Sequence, residues 1–203
     1  MRVQSQSRSV LVVATSARAK GFTLIELMIT IAVAVVLLMI AVPRFTNLIN
    51  TNRLNTAANA LIGALNTARM AAVQQNTSAQ FCSNAAASNT SSILGAACGT
   101  SAGAVFVLTT TADTPPTSVA TQLAAAPAEL EAVSLQIHGN IQAVSFNSQG
   151  QGLVPGTTLP PSSTVPIIDI CSTALSASAN NHVQIYMAAG SVITTHASSG
   201  ACP

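Results

Sequence analysis

Lys20-Gly-Phe-Thr-Leu-Ile-Glu-Leu-Met-Ile-Thr-Ile-Ala-Val-Ala-Val-Val-Leu-Leu-Met-Ile-Ala-Val-Pro43 is the stretch whose reading decides the fold. Between Phe22 and Val42 the only ionisable side chain is that of Glu26, and the run matches the roughly 20 apolar residues that a helix needs to cross a bilayer. Arg2, Arg8, Arg18 and Lys20 precede it without an acidic residue. The positive-inside bias therefore holds this end at the cytoplasm and sends the C-terminal bulk outward. A secretory signal peptide would need small residues before its cleavage site and an apolar region of about 7 to 15 residues. Here the run is longer and ends Ile40-Ala-Val-Pro-Arg44, with no Ala-x-Ala. A plain anchor leaves Glu26 unexplained, because an acidic residue near a membrane helix centre costs about 2.5 to 3.5 kcal/mol, less towards an end, and such residues usually have a partner.

Gly21, Phe22, Thr23, Leu24, Ile25 and Glu26 closely resemble the processing motif of type IV prepilins and type II secretion pseudopilins. The resemblance implies that residues 1–21 are a leader, cut between Gly21 and Phe22 by a membrane-embedded aspartic prepilin peptidase. It also implies methylation of the new Phe22 amino group. The residues suit that chemistry: Gly21 has no side chain to obstruct the scissile bond, and Arg18 and Lys20 hold the leader at the cytoplasmic surface. The leader is long for this family and locally apolar from Val10 to Ala14, which leaves the junction unchanged. Glu26 is expected to pair with the Phe22 amine of its own or a neighbouring subunit. An unpaired buried charge costs several kcal/mol, so that pairing would set register in a filament.

The helix is expected to run on to residue 76, with 22–42 in the membrane and Pro43 as a kink, since proline removes a backbone donor and crowds the preceding turn. Beyond it Phe45, Leu48, Ile49, Ala57, Ala58, Leu61, Ile62, Leu65, Ala68, Ala72 and Val73 recur at three- and four-residue steps. Arg44, Asn47, Asn50, Arg53 and Asn66 fall largely off this stripe, as in a helix that packs one face on a sheet. From about Ala79 the period changes. Apolar stretches at Ala104 to Leu108, Val133 to Ile137, Ile141 to Phe146, Val165 to Ile170 and Val183 to Met187 read as strands between Gly, Pro, Ser and Asn. Ser83 to Ser91 and Asp113 to Pro127 read as exposed loops. The expected class is α+β and pilin-like: a long N-terminal helix on an antiparallel sheet or sandwich formed by 77–203.

That outer region shows a second, narrower resemblance, to the GspH/FimT group of type II secretion pseudopilins and minor pilins. Leu65 to Asn76 looks like the group's helix end and Ala79-Gln-Phe-Cys82 like its first strand. Val144-Ser-Phe-Asn-Ser-Gln-Gly150 resembles its Phe–Gly hairpin, and Ile185 to Ile193 its final hairpin. DNA-binding FimT-like members carry Gly-Arg-x-Arg where this chain has Gly190-Ser-Val-Ile193. Phosphate neutralisation needs Lys or Arg, and none follows Arg69, so direct nucleic-acid binding is disfavoured.

Composition agrees with export. The chain has 203 residues and a formal charge of +2, but residues 77–203 carry Asp113, Glu129, Glu131 and Asp169 with no Lys or Arg, a charge of −4. Solubility there rests on hydroxyls and amides. Cys82, Cys98, Cys171 and Cys202 all lie in this part, an even number suited to an oxidising compartment. Three pairings are possible; Cys82 with Cys98 and Cys171 with Cys202 are favoured because sequence neighbours close local loops. There is no Cys-x-x-Cys, and the spacings to His138, His182 and His196 are long, so no metal site is expected. Those histidines, the four carboxylates and the many serines form no recognisable nucleophile or phosphate-loop pattern, so neither catalysis nor a cofactor is expected. The expected function is that of a minor type IV pilin, a structural subunit that helps initiate and assemble the pilus. Its expected partners are other pilins through the helix, the peptidase and methyltransferase, and the inner-membrane assembly platform. It would sit in the inner membrane with its C-terminal domain in the periplasm, reaching the cell surface within a pilus. The alternative is a type II secretion pseudopilin; a pilus-tip adhesin or DNA-uptake pilin stands behind both.

Overall fold

The computed structural model describes residues 21–131 and 137–202; the leader residues before Gly21 and the expected strand residues 133–136 lie outside them. The chain divides into two compact units, Met1–Val42 and Pro43–Pro203.

Helix α1, Leu24–Gln74, begins in the first unit. Its start is encoded by Thr23-Leu-Ile-Glu26, a capping-box pattern, and Thr23 Oγ1 accepts the Glu26 backbone N–H at 3.2 Å. Glu26 in the first turn also complements the helix dipole. Thr30, the other hydroxyl in this unit's helix, donates to the Leu27 carbonyl at 2.9 Å. Apart from half-buried Ala41, the apolar side chains from Phe22 to Val42 that define the stretch are solvent-exposed, as a membrane segment's must be outside lipid.

In the second unit α1 becomes a packing element. Leu54, Ala57, Ala58, Leu61, Ala64, Leu65, Ala68, Ala71 and Ala72 are buried at three- and four-residue steps. The stripe begins later than its sequence pattern: Phe45, Leu48 and Ile49 are exposed, as is Val73 at the far end. The core cluster starts at Leu54, so the three earlier apolar residues have no part in it. The helix ends where Asn76 turns left-handed at φ 48° and Thr77 N–H bonds back to the Ala72 carbonyl at 3.0 Å, a Schellman-type stop.

Two antiparallel sheets complete the unit. The first has strand order β3-β2-β1-β5-β6, from β1 (Ala79–Phe81), β2 (Val105–Thr110), β3 (Ser118–Ala124), β5 (Val144–Phe146) and β6 (Gly152–Leu153). The second has order β4-β7-β8-β9, from β4 (Ile137–Ile141), β7 (Ile168–Ser172), β8 (His182–Ala188) and β9 (Val192–Ser198). In the first sheet Val105, Phe81 and Val144 form one cross-strand row, and Val107, Ala79 and Phe146 the next. In the second, Ile141, Ile168 and Ile185 align. All of these join the α1 stripe in a single core. Short helices α2 (Ile93–Cys98) and α3 (Ala128–Glu131) lie in the connections.

Three sequence expectations need correction. Asp113 to Pro127 is not a loop throughout, because β3 pairs with β2 along an edge. Its side chains are mostly exposed on both faces, so no alternation betrays it; Thr109 to Thr121 and Thr111 to Thr117 hydroxyl bonds at 2.8 Å link the hairpin instead. Ile141 to Phe146 is not one strand but the crossing between the sheets. Ile141 and Ala143 are buried, then Val144 and Phe146, so the inward parity flips at residue 143, which a single pleated strand cannot do. Ser83 to Ser91 is not simply exposed: Asn89 is fully buried, accepts the Ser83 N–H at 2.8 Å and donates to the Gly99 carbonyl at 2.9 Å.

Candidate functional site

The N-terminal unit carries the chemistry that the sequence singles out. Gly21 is exposed, and a Cβ built on it would meet no described atom within 4 Å. Nothing in the packing of the described residues therefore requires glycine at this position. Five residues on, the two hydroxyls of the helix are satisfied by backbone groups, which leaves the Glu26 carboxylate as the polar side chain without a partner among the described residues. Phe22, four residues before Glu26, is 77 % exposed. Pro43, inside α1, lies at the division between the two units.

The outer unit positions its own conspicuous residues through the sheet register. Asp169 and Cys171 lie on the face of β7 opposite Ile168 and Ile170, and their partners on β8 are Gln184 and His182. His182 Nδ1 is 3.0 Å from Asp169 Oδ1, Gln184 Nε2 donates to Asp169 Oδ2 at 3.0 Å, and Tyr186 donates to Gln184 Oε1 at 3.0 Å. Tyr186 meets His196 edge-on, with centroids 5.4 Å apart. This Asp–His pair has the form of the orienting half of a hydrolytic triad, yet His182 Nε2 is buried with no hydrogen-bond partner among the described residues. His138 and Asp113 are exposed; His138 lies on β4 directly across from Cys171.

The four cysteines form two disulfides, Cys82–Cys98 with Cα atoms 5.4 Å apart and Cys171–Cys202 with Cα atoms 5.8 Å apart. The first links the end of β1 to α2; the second ties the C-terminal tail to β7. Reading by spacing missed that His182 joins Cys171 and Cys202, because β7–β8 pairing sets His182 beside Cys171 and the disulfide brings Cys202 to the same place.

It also missed Arg69. This last cation of the chain donates through Nη2 to the carbonyls of Gly190 at 3.3 Å and Ser191 at 2.6 Å. Its guanidinium carbon lies 5.6 Å from the centre of the Phe146 ring. Arg69 thus fastens α1 to both hairpins of the second resemblance. The available signal was its place on α1, one residue from buried Ala68, in a region otherwise losing its charges. At Gly190-Ser-Val-Ile193 the turn between β8 and β9 presents no cation.

A family model for the prokaryotic N-terminal methylation motif matches residues 16–42, and one for the type II transport protein GspH matches residues 57–185. No curated protein and no solved structure matches the chain. The methylation motif and the long apolar helix together describe a chain anchored in the membrane by a single span. Both families are of structural pilin or pseudopilin subunits rather than enzymes. Since the GspH match spans well over half of the sequence, the protein belongs to the GspH family of type II transport proteins and carries at its membrane end the methylation motif of type IV pilins and pseudopilins.

Proposed function

We propose that this protein is a minor type IV pilin, a structural subunit that helps initiate and assemble the pilus. In this reading residues 1–21 are removed by the prepilin peptidase, Phe22 is N-methylated, 22–42 holds the subunit in the inner membrane, and 77–203 forms the periplasmic domain. Other pilins then dock through the helix on the assembly platform, with Pro43 bending it. The observation that carries the proposal is Glu26, a carboxylate without a described partner on an otherwise apolar, exposed helix. In a filament core it would pair with the Phe22 amine, and a subunit one step out of register would bury an unpaired charge. The disulfides and the hydroxyl-rich outer surface favour exposure outside the cell, where few ion pairs are available to this domain.

A second reading, a pseudopilin of type II secretion, is favoured by one specific observation, the match to the type II transport protein GspH. An in-frame deletion strain separates the two when sheared surface pili and secreted enzymes are both measured, each restored by a plasmid copy. Lost pili with normal secretion supports the minor pilin; normal pili with lost secretion would replace it by the pseudopilin.

A further inference from the structure

Cys171, His182 and Cys202 are far apart in sequence, yet one ligand atom from each, the two Sγ atoms and a ring nitrogen, all lie within 4.8 Å of one another. Cys171 and His182 are direct partners across β7 and β8. His182 is 8 % exposed; its Nδ1 is engaged by Asp169 Oδ1 at 3.0 Å, which leaves buried Nε2 without a partner among the described residues. A buried ring nitrogen left unpaired is costly. A carboxylate on one imidazole nitrogen is also how proteins orient the other towards a metal.

The third member is kept near by more than its own disulfide. Asn181, buried beside His182, donates to the Gly200 carbonyl at 2.9 Å and accepts the Gly200 N–H at 3.0 Å. Asn180 N–H donates to Ser199 Oγ at 2.9 Å. The tail is therefore fastened two residues before Cys202 whether or not the sulfurs are joined. A Cβ at residue 200 would lie 3.4 Å from His182 Nε2, so the fastened tail passes directly over the ring.

We infer that in its dithiol state this cluster is a three-ligand site for a thiophilic cation, Zn²⁺ or Cu⁺, held by Cys171 Sγ, Cys202 Sγ and His182 Nε2, with Asp169 orienting the imidazole. Two thiolates and one imidazole are a soft donor set of the kind that selects these cations. The dithiol is the state in which a chain leaves the reducing cytoplasm. Regenerating it from the disulfide takes two electrons and two protons from a dithiol, which is oxidised to its own disulfide. Cation binding then releases the two thiol protons. Metal occupancy and disulfide formation are mutually exclusive at these two sulfurs. The inference is independent of whether the subunit serves a pilus or a pseudopilus.

The test uses the mature full chain in detergent, reduced with a dithiol, desalted without oxygen, and titrated separately with Zn²⁺ and with Cu⁺. Expected is one equivalent of either cation per chain, kept by a Cys82→Ala, Cys98→Ala double variant and lost in Cys171→Ser and in the oxidised chain. His182→Gln should weaken it strongly, and Asp169→Asn by about 10- to 100-fold. Binding that follows Cys82 and Cys98, or that ignores His182→Gln, overturns the inference. Should the double variant fail to fold, X-ray absorption on the wild-type complex decides: two sulfurs and one imidazole nitrogen support the site, four sulfurs overturn it. If the reduced chain is unfolded and neither cation restores its β-sheet circular dichroism, the inference also falls.

Discussion

Glu26 begins its life as a helix-start residue: three positions after the capping Thr23, it helps α1 form immediately beyond the Gly21–Phe22 bond. That local role explains why an acidic residue can stand so near the start of a membrane helix, but it leaves the carboxylate free to bond elsewhere. Glu26→Ala should insert into membranes as well as wild type and be depleted from sheared filaments, measured by immunoblot of both fractions. Equal incorporation would contradict the register role. Arg69 shows the opposite economy, a charge spent inside its own subunit. Arg69→Ala removes two carbonyl bonds and the contact with Phe146, and bonds from a charged donor are worth about 1.5 to 3 kcal/mol each at most. The expected loss is about 2 kcal/mol, read as a lower Tm of the mature chain in detergent. Arg69→Lys should recover only part of it, since lysine lacks the planar fork.

At the scale of elements, legibility in the sequence followed how strongly burial imprints a period. The α1 stripe from Ala57 to Ala72 was readable because every third or fourth residue is core, whereas buried Leu54 at its start was not picked out; β8 was readable because its alternate residues are buried. β3 was hidden because an edge strand exposed on both faces has no alternation to show. The crossing at Gln142 and Ala143 was readable in principle, as a parity break in an apolar run. Glycines test this packing directly. Gly150 has φ 75°, and a Cβ there would stand 2.9 Å from Val73 Cγ2; Gly63, on the exposed side of α1, would meet nothing. Gly150→Ala should therefore destabilise the domain by more than about 1 kcal/mol, whereas Gly63→Ala should stabilise it by about 0.4 to 1 kcal/mol, both by thermal melts. The Cys82–Cys98 bond closes a separation of 16 residues, worth about 3 kcal/mol in the chain-entropy model. A Cys82→Ala, Cys98→Ala variant should lose close to that amount and keep its fold, as checked by denaturant midpoint and circular dichroism.

For the whole molecule, two units carry two kinds of information. The N-terminal unit announces itself in sequence because a bilayer demands an unbroken apolar run and because it carries the N-terminal methylation motif. The outer unit announces only its class, since its fold depends on strand register and on long-range fastenings such as Arg69 to Ser191, which leave little local trace. The His182 cluster belongs to the same category: register sets His182 beside Cys171, the fastened tail adds Cys202, and spacing conceals all three. Family membership, the exposed apolar helix and a Glu26 carboxylate without a partner among the described residues all meet in a single expectation, a subunit that leaves its leader behind and enters a filament by its new N-terminus. The most direct measurement is mass spectrometry of the N-terminal peptide of the protein purified from cell envelopes. The account predicts a chain that begins at Phe22 with a methylated amino group; a chain that retains residues before Phe22, or one cut after Val42 in the manner of a signal peptide, would contradict it.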